Sequence, residues 1–321
     1  MSFKPIYKLR DWIDPELLVH NELSRNPSAI HIIEQNLDKV FWPNLSANPA
    51  AIHIIEKNLD KISWRALTCN RNAIHIIEKN LYKFDWGPLS QNPGAINILE
   101  KNLHKINWKS LSLNEAATHI LEQNLDKVNW SYLSQNPGAI HILEKNLDKI
   151  SWRALSQNPG AIHILEKNLD KIKWDYLSLN KAVTHLLEKN LDKVDWWPLS
   201  QNPGAIHILE KNLDKISWCY LSENPSATHI LEKNLGKVSW WCLSKNPGAI
   251  DILEKNQDKI IWSQLSKNPS IFVLDRDAMR KQIDNWFAEE LISTALHPRH
   301  FERNLIQYNY NITTNEYEDL E

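Results

Sequence analysis

The chain has 321 residues, a formal net charge of −2, and Lys+Arg (37) nearly equal to Asp+Glu (39). That balance argues against a global electrostatic pull toward nucleic acid or an anionic membrane. No apolar run approaches the roughly 18–20 residues that span a bilayer, and the opening MSFKPIYKLRDW lacks the apolar core of a secretory signal.

Residues 1–24 read as an N-terminal cap. Asp11-Trp12 opens like the units that follow, but Leu23 falls eight residues later than their pattern places it. Asp14 is a good N-cap and Pro15 suits a first helical turn, so the extra stretch predicts a longer first helix.

Residues 25–266 form a repeat array with a period of 22. Tryptophan falls at Trp42, Trp64, Trp86, Trp108, Trp130, Trp152, Trp174, Trp196, Trp218, Trp240 and Trp262. Asparagine falls on the same period from Asn26 to Asn268. A fixed period of this length marks a solenoid, in which units too small to fold alone bury their apolar faces against neighbours.

One unit, Asn158 to Trp174, shows the logic. Asn158 is placed to cap a helix and Pro159 to start it, where a missing N–H costs nothing. Ala161, Ile162, Ile164, Leu165 and Leu169 share one side, while His163 and Lys167 face away. The helix is expected to run about ten residues and to end at Asn168 in a left-handed conformation. A second, shorter helix then starts with Trp at its first position. Asp11, Ser63, Asp85, Asn107, Asn129, Ser151, Asp195, Ser217 and Ser239 precede the tryptophans as caps; Phe41, Lys173 and Ile261 do not suit that role. Nothing alternates with period two, so no strands are expected.

Residues 267–311 leave the pattern as a C-terminal helical cap or docking module. Asn268-Pro269 predicts one more helix start. An amphipathic helix follows from about Asp277 through Trp286, Phe287, Leu291 and Ile292. Pro298 breaks it, and a last helix is expected over Arg299–Tyr308. Residues 312–321 read as an acidic flexible tail.

The whole predicts an all-α fold: an α-solenoid of about eleven 22-residue two-helix repeats with N- and C-terminal helical caps. At a helix spacing of roughly 8–10 Å the stack would be a rod or superhelix on the order of 100 Å long. The tryptophan ladder is expected in the buried inter-unit core, with Trp152→Ala costing roughly 3–5 kcal/mol.

Recurring polar letters invite chemical readings. His31, His53, His75, His119, His141, His163, His185, His207 and His229 form a series on an exposed ridge, each three residues before a Glu. A pH-responsive surface is one reading. A shared metal site fits poorly, because rings in neighbouring units would sit roughly 10 Å apart while ligands bind at about 2 Å. The asparagine ladders are explained by capping. Cys69, Cys219 and Cys242 are an odd count at variable positions and read as occasional substitutions in a reducing compartment, not as a disulfide framework. No phosphate loop, catalytic triad or cofactor motif stands out.

The informative positions are those that vary inside the array: the two residues after Trp and the one before Asn-Pro. Trp197 and Trp241, each an extra Trp after the ladder position, are candidate exposed anchors, as are Trp286 and Phe287. Leu111–Trp130 and Leu177–Trp196 match each other better than their neighbours across 66 residues, which points to growth by block duplication.

The unit LSxNPxAIxILEKNLDKIxW, with the closing segment Phe287–Leu305, resembles repeat proteins encoded by nucleocytoplasmic large DNA viruses, the mimivirus-like giant viruses in particular. The resemblance implies a viral origin, with work in the virion or the host cytoplasm, and brings no catalytic residue with it. Units starting at Asn70, Asn114 and Asn180 lack the family's Pro, which leaves their helix starts less fixed.

The function expected is a non-enzymatic scaffold presenting an extended protein-binding surface, viral structural or assembly-associated, without cofactor, metal or small-molecule substrate. The alternative is an adaptor that holds a target on its repeats and recruits host machinery, such as a ubiquitin ligase, through its C-terminal helices. A nucleic-acid binder is a third class; it would show a continuous positive stripe and salt-sensitive binding.

Overall fold

The computed structural model describes residues 5–294, 310–311 and 316–317. It contains two compact units, one made of Arg10–Ile271 and the other of the two chain ends, Met1–Leu9 with Phe272–Glu321.

The Arg10–Ile271 unit is the helical repeat array. Each repeat folds by the same local rules. In the stretch from Asn136 to Trp152, the Asn136 side-chain oxygen accepts from Gly138 N at 2.9 Å. That bond closes a 3-10 turn, Pro137–Ala139, which runs into a short α-helix, Ile140–Glu144. The expected ten-residue helix is thus two pieces. The proline and the N-cap bond tighten the first turn to i→i+3 bonding, and Ala139 (φ −96°, ψ 14°) carries the change of pitch. The second helix starts at Trp152, capped by Ser151, whose Oγ accepts from Ala154 N.

The asparagine that ends the first helix departs from the expected left-handed cap. Asn168 has φ −136° and ψ 50°. Its Nδ2 donates instead to Ile164 O at 2.8 Å, and Asn146 treats Ile142 O in the same way. The side chain satisfies a carbonyl of the last helical turn, so no Schellman geometry is needed.

Leu133, Ala139, Leu143 and Leu155 are fully buried between adjacent repeats, and so are their counterparts along the array. The tryptophans are not. From Trp42 to Trp262 each is only half-buried. In ten successive joints a lysine of the following repeat covers the ring, from Lys61 over Trp42 (5.5 Å) to Lys259 over Trp240 (5.0 Å). The ladder lies at the margin of the core, where a flat ring and a snorkelling lysine stem shield the leucines beneath.

Two buried polar residues tie each joint. Ser134 Oγ donates to Trp130 O at 2.7 Å and accepts from Ser151 N at 2.9 Å. Asn136 Nδ2 donates to Ser112 O and Asn114 O of the preceding repeat, at 3.0 and 3.1 Å. Capping therefore explains only half of the Asn26–Asn268 ladder: one end of the amide caps its own helix and the other binds the previous unit. Thr68 varies the serine theme, its hydroxyl turning to Arg65 O at 2.6 Å.

These joints do not stop at the ends of the array. Val19 N donates to Ser266 Oγ at 2.8 Å, as Phe41 N does to Ser24 Oγ. Asn26 Nδ2 reaches Asn268 O at 3.5 Å. Lys267 Nζ lies 3.6 Å from Glu22, in the register where Arg25 meets Asn44. The residues expected to cap the array supply its missing member, with the helix His20–Leu23 standing where other units place their Trp helix. Where a rod or superhelix about 100 Å long was expected, the stack runs back into its own beginning. A small constant rotation per joint, repeated around the array, accumulates to closure.

In the other unit, Tyr7–Leu9 pairs antiparallel with Phe272–Leu274, Tyr7 opposite Leu274. No strand was expected from the pattern. Pro269–Ile271 does start like another repeat, but Phe272-Val273-Leu274, apolar and partly β-branched, continues extended where other units have Ile-x-Ile-Leu. A helix Arg276–Thr294 follows, close to the predicted bounds. Tyr310–Asn311 pairs with Glu316–Tyr317. The expected helix Arg299–Tyr308 and most of the 312–321 tail lie outside the described residues.

Candidate functional site

The repeat places the positions that vary on one band. The residue after Trp in one unit meets the second residue after Trp in the next, a separation of 23. Four joints show it directly. Lys109 Nζ lies over the Tyr132 ring at 5.0 Å, and the Arg153 guanidinium over Tyr176 at 4.3 Å. The rings of Trp197 and Tyr220 are 6.2 Å apart, and Cys219 Sγ is 3.1 Å from Cys242 Sγ. The residues before Asn-Pro run beside this line. Gln201 Nε2 donates to Glu223 at 3.1 Å, Glu223 pairs with Lys245 at 2.7 Å, and Lys245 Nζ covers the Trp241 ring at 4.7 Å.

Trp197 is 66% and Trp241 52% exposed, far more than the ladder tryptophans beside them. The position that follows Trp looks outward from the first turn of the short helix, because Trp and the following Leu take the inward face. Between Trp197 and Lys245 the band therefore offers two exposed indoles, a phenol and a fixed ion pair. This is the combination of rigid aromatic area and anchored polar groups that binding hot spots use.

Elsewhere the same band is hollow. Gly87 stands after Trp86, and beside it opens a groove of about 710 Å³ lined by Arg65, Cys69, Arg71, Asp85 and Gln91. Arg71 occupies the place where most units carry Pro.

A second line of pairs uses constant letters. His75 Nε2 lies 2.7 Å from Glu56, His119 2.7 Å from Glu100 and His185 2.8 Å from Glu166. His53, His141, His163, His207 and His229 repeat the pairing. Each histidine meets the glutamate of the preceding unit, 19 residues back, and not the one three residues on in its own helix. The series is a set of inter-unit bridges between half-exposed side chains, each a modest contribution. Among the described residues no group of three or more His, Cys, Asp or Glu is placed to hold a metal ion. No helix among them is long and apolar enough to cross a membrane.

Trp286 and Phe287 belong to the unit of the chain ends, on the helix Arg276–Thr294. Arg280 to Glu289 are all exposed, Phe287 at 62% and Trp286 at 37%.

The variable positions of the repeat include those of Tyr132, Tyr176, Tyr220, Gln201, Glu223 and Lys245, but only Trp197 and Trp241 stand out as single residues; which of the others meet is not visible within one unit. The signal was present in the 23-residue spacing of cation–aromatic and Cys–Cys pairs. It becomes readable only once the joint is known to offset neighbouring helices by one position.

Comparison of the chain with protein-family models, with curated proteins and with solved structures finds no match. The fold and the band together define a closed helical repeat array with one constant and one variable face.

Proposed function

We propose that this chain is a non-enzymatic scaffold that holds a protein partner along the variable band, centred on Trp197, Tyr220 and Trp241. The observation that carries this reading is the segregation itself. Letters that hold units together are constant and buried or paired, whereas the letters that differ are gathered on one line, most of them accessible. With the resemblance noted above, the partner is a viral structural component or a host protein, and the site of action the virion or the infected cell.

The test is affinity purification of the tagged full-length chain from infected cells, beside the double variant Trp197→Ala/Trp241→Ala, with a parallel analysis of purified virions. The scaffold reading expects capsid or core proteins with the wild type, their loss from the double variant, and the chain itself in virions. Identical partners for both forms would overturn the assignment of the band.

A second reading rests on the helix Arg276–Thr294, where Ile283 (45% exposed) and Phe287 lie one turn apart on one face. In that reading the repeats hold a target while this helix recruits host machinery such as a ubiquitin ligase. Host ligase subunits that disappear with Phe287→Ala, and a chain absent from virions, would favour it.

A further inference from the structure

Two of the three cysteines of the chain meet across one joint. Cys219 follows Trp218 and Cys242 lies two residues after Trp240, so the 23-residue offset that elsewhere brings a cation to a ring here brings two sulfurs together. Nothing in the single-unit pattern pairs them, since they occupy different repeat positions. Their Sγ atoms are 3.1 Å apart; Cys219 is exposed and Cys242 is buried. Both sit on short helices, Trp218–Glu223 and Trp240–Ser244, whose places are set by the serine and asparagine ties of their joint.

We infer that Cys219 and Cys242 are a modification site: a dithiol that low-molecular-weight disulfides of the glutathione type convert to an intramolecular disulfide, with Cys219 as the attacking and Cys242 as the resolving sulfur.

The order of events follows from access. Dissolved glutathione disulfide reaches Cys219. Its thiolate attacks one glutathione sulfur, the glutathione S–S bond breaks, and one glutathione leaves as thiolate and takes up a proton. The product is a mixed disulfide on Cys219. Cys242 is buried, which pushes its thiol up and keeps it neutral and inert toward solvent reagents. It needs no solvent access for the second step. Cys242 attacks Cys219 Sγ, the mixed S–S bond breaks, and the second glutathione leaves as thiolate and takes up the proton that Cys242 gives up. Two protein thiols and one glutathione disulfide become one protein disulfide and two glutathione thiols. The two electrons lost by the protein are those gained by glutathione.

The bond would join neighbouring short helices beside Tyr220 and Trp241, so oxidation would lock the joint in the middle of the aromatic part of the band. Cys69, exposed and outside this joint, has no resolving sulfur across from it and would stop at the mixed disulfide.

The experiment treats the reduced full-length chain with excess glutathione disulfide, quenches with acid, and maps peptides without reduction. The expected product carries a Cys219–Cys242 cross-link, with glutathione held on Cys69 only. Cys242→Ser should instead retain glutathione on Cys219, and Cys219→Ser should leave Cys242 unmodified. Closure should be faster by at least about tenfold in the folded chain than in the urea-unfolded chain, because the fold supplies the effective concentration. Glutathione persisting on Cys219 of the wild type, or equal closure rates in the two states, would overturn the inference.

Discussion

Asn26 Nδ2 donates to the backbone oxygen of Asn268, although 242 residues separate them. It is the bond by which Asn48 reaches Asn26 and Asn268 reaches Asn246, 22 residues back in each case. The register of the array is thus continued across its own ends, and the joint there is built from the same parts as any other.

That equivalence has a direct energetic test. Ser266 and Ser134 are both fully buried, and each accepts from the N–H that opens the next short helix. Alanine at either site leaves that N–H without its partner, at a cost of about 1–3 kcal/mol. Urea denaturation should give similar losses for Ser266→Ala and Ser134→Ala. In an open stack Ser266 would face solvent at the end, and its replacement would be silent to within about 0.5 kcal/mol.

The half-buried state of the ladder lowers the penalty for removing a tryptophan. Trp152→Ala is expected to cost about 2–3 kcal/mol, below the range for a fully buried ring. Part of that belongs to Lys171, whose Nζ lies 5.0 Å from the Trp152 ring centroid. Lys171→Gln should cost about 0.5–1 kcal/mol in the wild type and nothing once Trp152 is alanine, a non-additivity that a double-mutant cycle measures.

The glycines after Asn-Pro report on how closely units approach. A Cβ on Gly248 would run into Pro225 O of the preceding unit, whereas one on Gly236, in the turn, would meet nothing within 4 Å. Gly248→Ala should destabilise by about 1–3 kcal/mol, since backbone must move. Gly236→Ala should be neutral or stabilise by about 0.4–1 kcal/mol through the unfolded chain. Thermal unfolding of the two variants side by side decides the point.

Burial pushes the Cys242 thiol up from 9.0 to about 12. A raised thiol pKa means the folded chain keeps a proton that the unfolded chain releases first. Stability is therefore unaffected below 9.0 and falls as pH climbs from there toward about 12. Denaturation at about pH 8 and about pH 10 should show the reduced wild type losing more stability than Cys242→Ala over that step, by on the order of 1 kcal/mol. Parallel losses would mean that the thiol titrates alike in both states.

Much of the fold was open to reading from the letters. The period, the two helices per unit, Asn-Pro as a start signal and Ser, Asp or Asn before Trp as a cap are local chemistry, and local chemistry survives in a single unit. What escaped reading belongs to the joints. The amide of Asn136 has two ends, and a sequence shows the one that caps but not the carbonyls of Ser112 and Asn114 that the other end finds. Ser134 reads as filler in a helix until its neighbour's Ser151 N–H arrives. The strand Phe272–Leu274 depends on Tyr7–Leu9, a partner from the opposite end of the chain. At the candidate surface the failure was one of register. Trp197 could be picked out by its oddity, but its pairing with Tyr220 could not, because the offset of 23 is a property of packing and not of any one repeat.

Closure also bears on how such a gene can change. In an open solenoid, copy number drifts freely: a duplicated unit lengthens the stack and leaves every existing contact in place. Here Ser266 must find Val19, so a supernumerary unit would have to be absorbed by bending every joint or by breaking one. Identical segments such as those at 135–152 and 201–218 show that units were copied readily. The arithmetic of the circle determines which copy numbers can be kept, and makes the count of units as heritable a trait as any side chain.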